Sequence, residues 1–532
     1  MELSLIYPSI EHEQSHNEGN SNAYISSEVL DDLGLSSVID LQSSRLCDFF
    51  TVDKEVIKYR QEVFSDLLNN QDLCQVLVSL TPILSDIEEL RRLSGEVEQS
   101  ESYLYSITEV ELFASCIELL KEGLLPIKDK LDSNAFKALS NAVSELANSD
   151  YYNDLTEKLK DLTSRVREIK SVTIGVNLDA RLRAESAGVI SVNNEKFKSG
   201  DLLQKILRLD FKTTEFTCIA SLQPFSKQDN ENQRNALSHA FNNALNSVFK
   251  SSMRSWKKVV QAYVLENANF LLKLLPEIEF LVKGTELIKC LKETGNPLVF
   301  PELADLDDKK FTLEGIYNPV VAHKLNEKLV ENDFSFDENG VFYVLSGPNR
   351  GGKSVISCAV GLTFALCQLG LMVPANKATI SPVDAIFTHF PTGGEDTIDK
   401  GRLGEECARL DEIFEKVSEN SLVLLDETLS STGSYEGAYI ASEVLSGFSM
   451  VGCRGIFSTH LHELTSMIDS INEKCTNNGG AKIDTLVAGM EEGQRSFKII
   501  RKKPDGRSYA RDIASKYGIS LDSILGKIKK NK

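Results

Sequence analysis

The run Gly347-Pro348-Asn349-Arg350-Gly351-Gly352-Lys353-Ser354 fits G-x-x-x-x-G-K-[ST] at every position. Its glycines let main-chain N–H groups turn inward onto phosphate oxygens. Lys353 is suited to neutralise the β- and γ-phosphates, and the Ser354 hydroxyl to bind Mg²⁺. The chemistry this pattern encodes is nucleotide binding, with ATP and Mg²⁺ as the expected ligands. Two later blocks add reactive groups. Ser421-Leu422-Val423-Leu424-Leu425 ends in Asp426-Glu427. An acid at that strand end can hold Mg²⁺ through water, and a second carboxylate beside it can polarise an attacking water. Gly455-Ile456-Phe457-Ser458-Thr459-His460 ends in a histidine able to sense the γ-phosphate or contact that water. Lys353, Glu427 and His460 are therefore the expected catalytic groups. Gly347, Pro348, Asn349, Arg350, Gly351, Gly352, Lys353 and Ser354 form the expected nucleotide-binding segment, and Ser354 with Asp426 the Mg²⁺ site. His462 reads as structural.

These groups need elements to hold them. The apolar run Val341–Ser346 predicts a buried strand before the loop, and the apolar run after Ser354 predicts a helix. From about residue 310 strands and helices alternate, the mark of an α/β sheet. Upstream, Leu73, Val76, Leu77, Leu80 and Leu84 recur at helical spacing, within a region that reads as helical from Ser27 to Lys170. Val172–Leu178 and Gly188–Val192 alternate as strands do, and Asn193-Asn194 reads as a turn. A helical pattern resumes near Gln233 and runs to Pro276, with Leu237, Phe241, Leu245, Val248, Trp256, Val260 and Tyr263 as its apolar stripe, read as core or a coiled-coil seam. The expected fold class is multidomain: a mainly α-helical core and lever region with a small β-containing module, then an α/β P-loop domain. The expected divisions are a polar, flexible N-terminus 1–22, a helical core 23–170, a β-containing insertion 171–230, long return helices 231–305 and the P-loop domain 306–532.

The chain has 532 residues and a formal net charge of −20, which excludes a uniformly basic nucleic-acid binder. The charge is uneven. Residues 1–160 hold 12 Lys+Arg against 30 Asp+Glu, whereas 161–260 hold 16 against 10. A polyanion partner is therefore expected at the middle segment, which includes Arg165, Arg167, Lys170, Arg181, Arg183, Lys196 and Lys198. Ten cysteines without a C-x-x-C pair argue against a zinc site or a disulfide framework and fit a reducing compartment. The N-terminus lacks the basic and apolar regions of a signal peptide. Val355–Pro374 directly follows the phosphate loop and carries Gln368 and several small polar residues, so it reads as a buried helix, not a membrane span. A cytoplasmic protein with no membrane partner is expected.

Taken together, these blocks resemble the MutS family of DNA mismatch-repair ATPases. Gly347–Ser354 is similar to that family's G-P-N-x-G-G-K-S. Ile386-Phe387-Thr388, leading to Gly401-Arg402, resembles I-F-T-R…G-R-S-T. Asp426–Gly437 resembles D-E-[IL]-G-x-G-T-x-x-x-[DE]-G, Thr459–Leu464 matches T-H-x-x-E-L, and Ser508-Tyr509-Ala510 with Ala514 resembles the closing S-Y-[GA]…A. The resemblance implies an ATP-binding-cassette-like domain that works as a dimer, each site completed by its partner. It implies helical levers that couple nucleotide state to a DNA clamp, for which the strand segment 172–193 stands in the expected place. It also adds Asn349 as a loop residue near the nucleotide.

The sequence departs from the family pattern at informative points. Gly401-Arg402-Leu403-Gly404-Glu405 lacks the serine of G-R-S-T-F that would reach the partner's γ-phosphate. Leu429 and Ser431 replace two glycines, His389 replaces the arginine of I-F-T-R, and Leu329 falls where the family stacks an aromatic on adenine. The helical core begins near Ser27, which leaves no room for the family's wedge-bearing mismatch-reading domain. Phe300-Pro301-Glu302 and Phe336-Asp337-Glu338 match its Phe-x-Glu by chance, and the chain ends too soon after the ATPase blocks for a Smr nuclease. The expected function is an ATP-hydrolysing homodimer in repair or recombination that binds double-stranded or branched DNA by structure and not by a mispair wedge. The alternatives are a transporter ATPase subunit, which would need the absent L-S-G-G-Q, and a nucleotide-gated scaffold.

Overall fold

A computed structural model describes residues 3–96, 102–167, 171–181, 184–193, 223–224, 268–348, 350–391, 401–491, 494–503, 518–519 and 523–524. The chain divides into two compact units, one of residues 1–3 and 70–278, the other of 4–69 and 279–532.

The first unit is mainly helical. Helices Gln71–Glu96, Ser102–Leu124, Asn134–Ala147 and Asp150–Arg167 follow one another. Leu73, Leu77, Leu80, Leu84 and Ile87 recur every three or four residues, so they share one face, and that face is buried. Val110, Phe113, Ile117, Leu120 and Leu124 do the same on the next helix. Arg91 Nε donates to Glu109 Oε1 at 2.6 Å within this bundle. Strands β1 (Ser171–Leu178) and β2 (Ala184–Asn193) pair antiparallel, and β3 (Gln223–Pro224) pairs with β2. Asn193 ends β2 and pairs with Ser171, so it closes the ladder. Most of the expected insertion and the helix expected from Gln233 lie outside the described residues.

The second unit is mixed α/β. Its larger sheet has six strands in the order β13-β12-β7-β11-β10-β9. These are β7 (Phe342–Ser346), β9 (Ile386–His389), β10 (Leu422–Asp426), β11 (Arg454–Ser458), β12 (Ile483–Glu491) and β13 (Gln494–Arg501). Only β13 runs antiparallel to its neighbour. Every residue of β7, β9, β10 and β11 is buried, as expected for parallel strands covered on both faces. A smaller sheet is ordered β4-β8-β5-β6, from β4 (Glu302–Leu303), β5 (Phe311–Ile316), β6 (Asn332–Phe336) and β8 (Lys377–Ile380). Phe311 of β5 stacks at 4.2 Å on Phe364 of the helix Lys353–Gln368, tying the small sheet to the element that follows the phosphate loop.

The N-terminal segment differs from expectation. Residues 1–22 were expected to be flexible and separate. Instead Leu5, Ile6 and Tyr7 are buried, and Ile10–Asn17 is a helix whose first turn is capped by Ser9. His16 is the buried residue of that otherwise polar helix, its Nε2 2.7 Å from the Asp48 carbonyl. Residues 4–69 also belong to the second unit and not with the helices after 70. The reason is main-chain pairing as much as apolar burial. Tyr24 N–H donates to Asp384 O at 2.7 Å, and Ile386 N–H donates to Tyr24 O at 3.1 Å, so this segment covers the open edge of β9. Thr388 of β9 donates to Asp32 at 2.6 Å. No helix among the described residues is long and apolar enough to cross a membrane.

Candidate functional site

The site lies at the carboxyl ends of β7, β11 and β10, three adjacent parallel strands. Gly347 leaves β7 with φ 140°, and a Cβ there would fall 2.7 Å from Ala488 Cβ. Gly352 takes φ 94° to start the helix Lys353–Gln368. Glycine meets both demands because it lacks a Cβ. Gly351 N–H closes the loop on Pro348 O at 3.0 Å.

Lys353 is buried, and its Nζ donates to Gly347 O at 3.3 Å. The same Nζ is 3.1 Å from His460 Nε2, which in turn is 2.9 Å from Glu427 Oε1. Three residues from three separate blocks thus meet in one chain. Burial pushes the Lys353 ammonium below the ordinary lysine range, against the opposing pull of Glu427 and Asp426. Asp426 is held up from the usual carboxylate range, first by burial; a hydrogen bond from Ser354 opposes this, and the neighbouring Glu427 charge adds to it. Its Oδ1 is buried without a hydrogen-bond partner. Among the described residues no group of three or more His, Cys, Asp or Glu could hold a metal, so a cation here would rely on this acid, the serine and ligand oxygens.

The loop after β10 is unusual. Glu427 and Leu429 have φ 51° and φ 64°, a left-handed region that non-glycine residues rarely occupy. Leu429 is fully buried against Leu425, Ala438 and Leu464. Glu427 N–H donates to Ser458 O at 2.8 Å, which ties the loop to β11.

Beside these groups opens a pocket of about 510 Å³. Arg350, Lys353, Ser354 and Glu427 are among its polar lining, and Tyr317, Val321, Leu325, Leu329 and Phe497 among its apolar lining. The arrangement offers charge and N–H groups to phosphates and an apolar slot to a planar base.

Comparison with known proteins follows the same blocks. Residues 343–524 match the family described as MutS domain V, and residues 52–294 match the MutS2 N-terminal domain. A protein named DNA mismatch repair protein MutS from Prochlorococcus marinus is 24% identical over 511 residues, covering 87% of this chain and 52% of that protein. Proteins of the same name from Halothermothrix orenii and a Roseiflexus species are 32% and 33% identical over 213 and 234 residues. These matches cover 39% and 42% of this chain and 23% and 20% of those proteins. The chain belongs to the MutS family. It spans about half the length of the MutS proteins that it matches along most of its own length.

Within this MutS-family chain, the structure brings Gly347, Pro348, Arg350, Gly351, Gly352, Lys353, Ser354, Asp426, Glu427 and His460 to one place. Asn349, Ser508, Tyr509, Ala510 and Ala514 lie outside the described residues, as do Lys170, Arg183, Lys196 and Lys198 of the basic segment. Gly401 begins the helix Gly401–Lys416, which carries Arg402, Leu403 and Gly404 in its first turn. His462 begins the helix His462–Thr476. Sequence reasoning missed Phe497 and Tyr317 in the pocket wall. No local signal marks Phe497, which reaches the loop only because β13 pairs with β12 beside β7.

Proposed function

We propose that this MutS-family chain binds ATP with Mg²⁺ and hydrolyses it, and that hydrolysis is coupled to binding of double-stranded or branched DNA by a homodimer. The observation that carries the reading is the contact chain Lys353–His460–Glu427 beside the phosphate loop. In this reading Gly347–Ser354 wraps the phosphates, with Asn349 as a further loop residue. Lys353 neutralises their charge, and Glu427 takes the proton of the attacking water while His460 orients it. The residues present fit Mg²⁺: Ser354 and Asp426 supply oxygen donors, and Asp426 has a buried oxygen without a partner. When bound, the cation neutralises charge on the phosphate oxygens. Phe497 and Leu329 border the slot for the base. The basic segment 161–260 meets DNA phosphates, so affinity falls steeply with salt.

The test is phosphate release by the full chain with ATP and Mg²⁺, alone and with homoduplex, mismatched or branched DNA, together with its mass in solution. Release stimulated by DNA and abolished by Glu427→Gln is the expected result. A chain that binds no nucleotide, or whose Glu427→Gln variant releases phosphate at the original rate, overturns the reading.

A further inference from the structure

His389 and Thr428 are two positions where this sequence departs from the MutS-family blocks, and the two touch. The family has arginine at the position of His389 and isoleucine or leucine at that of Thr428. Here Thr428 Oγ1 lies 3.0 Å from His389 Nδ1 and 3.3 Å from the His389 carbonyl. Both residues are buried. The hydroxyl has one proton and two lone pairs, so it can serve a ring nitrogen and a carbonyl together. The helix Gly401–Lys416 packs against β9 beside the imidazole, whose Nε2 is buried without a hydrogen-bond partner among the described residues. The ring therefore sits between that helix and the loop after β10.

That loop needs such a tie. Thr428 stands between Glu427 and Leu429, both in left-handed backbone. A non-glycine residue there is strained and persists only where its surroundings over-determine it. Three restraints are visible: Glu427 N–H on Ser458 O, the buried side chain of Leu429, and the Thr428 hydroxyl on His389. Leu429 shares its apolar cluster with Phe387 of β9 and Leu410 of the helix Gly401–Lys416, and the Thr428 hydroxyl adds a polar tie to His389 of β9.

We infer that His389 is a positioning residue which, through the Thr428 hydroxyl, holds Glu427 toward the phosphate loop. The inference rests on the reading of Glu427 as the base. Thr428→Val removes the hydroxyl at constant volume, Thr428→Ser keeps it, and His389→Ala removes the ring partner while keeping the main-chain carbonyl. Thr428→Val and His389→Ala should lower kcat for phosphate release roughly 10- to 100-fold with ATP affinity nearly unchanged. Thr428→Ser should restore most of kcat. A second readout does not need hydrolysis: exchange of the Glu427 amide hydrogen, in protein without nucleotide, should quicken in Thr428→Val and His389→Ala but not in Thr428→Ser.

Unchanged kcat and exchange in Thr428→Val overturn the inference. So does loss of ATP affinity and melting temperature in step with kcat, which marks a merely structural role. If the unmutated chain releases no phosphate, the functional reading fails, and the exchange result alone decides whether the pair holds the loop.

Discussion

The imidazole of His460 and the carboxylate of Glu427 meet at 2.9 Å, Nε2 to Oε1, and Lys353 Nζ reaches the same ring nitrogen at 3.1 Å. One nitrogen cannot donate to the carboxylate and accept from the ammonium at once. The two bonds therefore compete. A triphosphate that draws Lys353 away would leave Nε2–H free to donate to Glu427. His460→Ala should therefore lower phosphate release about 10²-fold or more while ATP still binds, whereas Lys353→Ala should weaken ATP binding itself. Isothermal titration with ATP beside a steady-state phosphate assay separates the two. Equal loss of binding in both variants would contradict the division of roles.

Phe497 is one of two aromatic rings in the pocket wall, half exposed and beside Gly352. Stacking of a base on such a ring is worth about 1–3 kcal/mol. Phe497→Ala should raise the ATP dissociation constant roughly 5- to 150-fold with kcat little changed, and Phe497→Tyr should restore binding. Fluorescent-nucleotide titration checks this. An unchanged dissociation constant would remove Phe497 from the base site.

Leu429 sets two effects against each other. Glycine would relieve the left-handed backbone at φ 64°, a gain of about 1–2 kcal/mol. It would also empty a fully buried leucine site, a loss of about 2–5 kcal/mol. The cavity wins, so Leu429→Gly should lower the melting temperature. A variant that melts higher would mean that strain dominates.

Burial, aided by the nearby Arg409 charge, pushes His389 down to about 4 from the ordinary 6.5. The folded chain therefore binds fewer protons here than the unfolded chain between these two values. Its contribution is fully present above pH 6.5 and is lost as pH falls toward 4, by about 3 kcal/mol. His389→Asn, which cannot titrate, should flatten the dependence of unfolding free energy on pH across that window. Urea melts at several pH values test it; equal slopes in both proteins would mean that His389 is protonated in the folded chain.

What was legible in the sequence was local. Gly347–Ser354 announces its loop because a phosphate cradle needs those residue types at that spacing. The apolar runs that form β7, β10 and β11 announce buried strands, and residues 172–178 and 188–192 announce strands by alternation, although Asn193, read as a turn, belongs to the ladder. What was not legible depends on partners far along the chain. The helix Ile10–Asn17 has almost no apolar pattern, and the buried contact of His16 with the Asp48 carbonyl lies 32 residues along the chain. Nothing in the sequence around Tyr24 marks its pairing with β9. The contact of Lys353 with His460 spans 107 residues, and Phe497 enters the pocket through strand order alone.

The covering of β9 by the Tyr24 segment has a consequence for synthesis. The unit that holds the phosphate loop is assembled from both ends of the chain, 4–69 and 279–532, with 70–278 made between them. Ribosomes add about 5–20 residues per second, so the early segment waits on the order of 20–70 s for the strand it will pair with. During that wait Tyr24 has no ladder to join. Expression of residues 4–69 alone should thus give a chaperone-dependent peptide, and supplying it in trans to 279–532 should recover soluble protein.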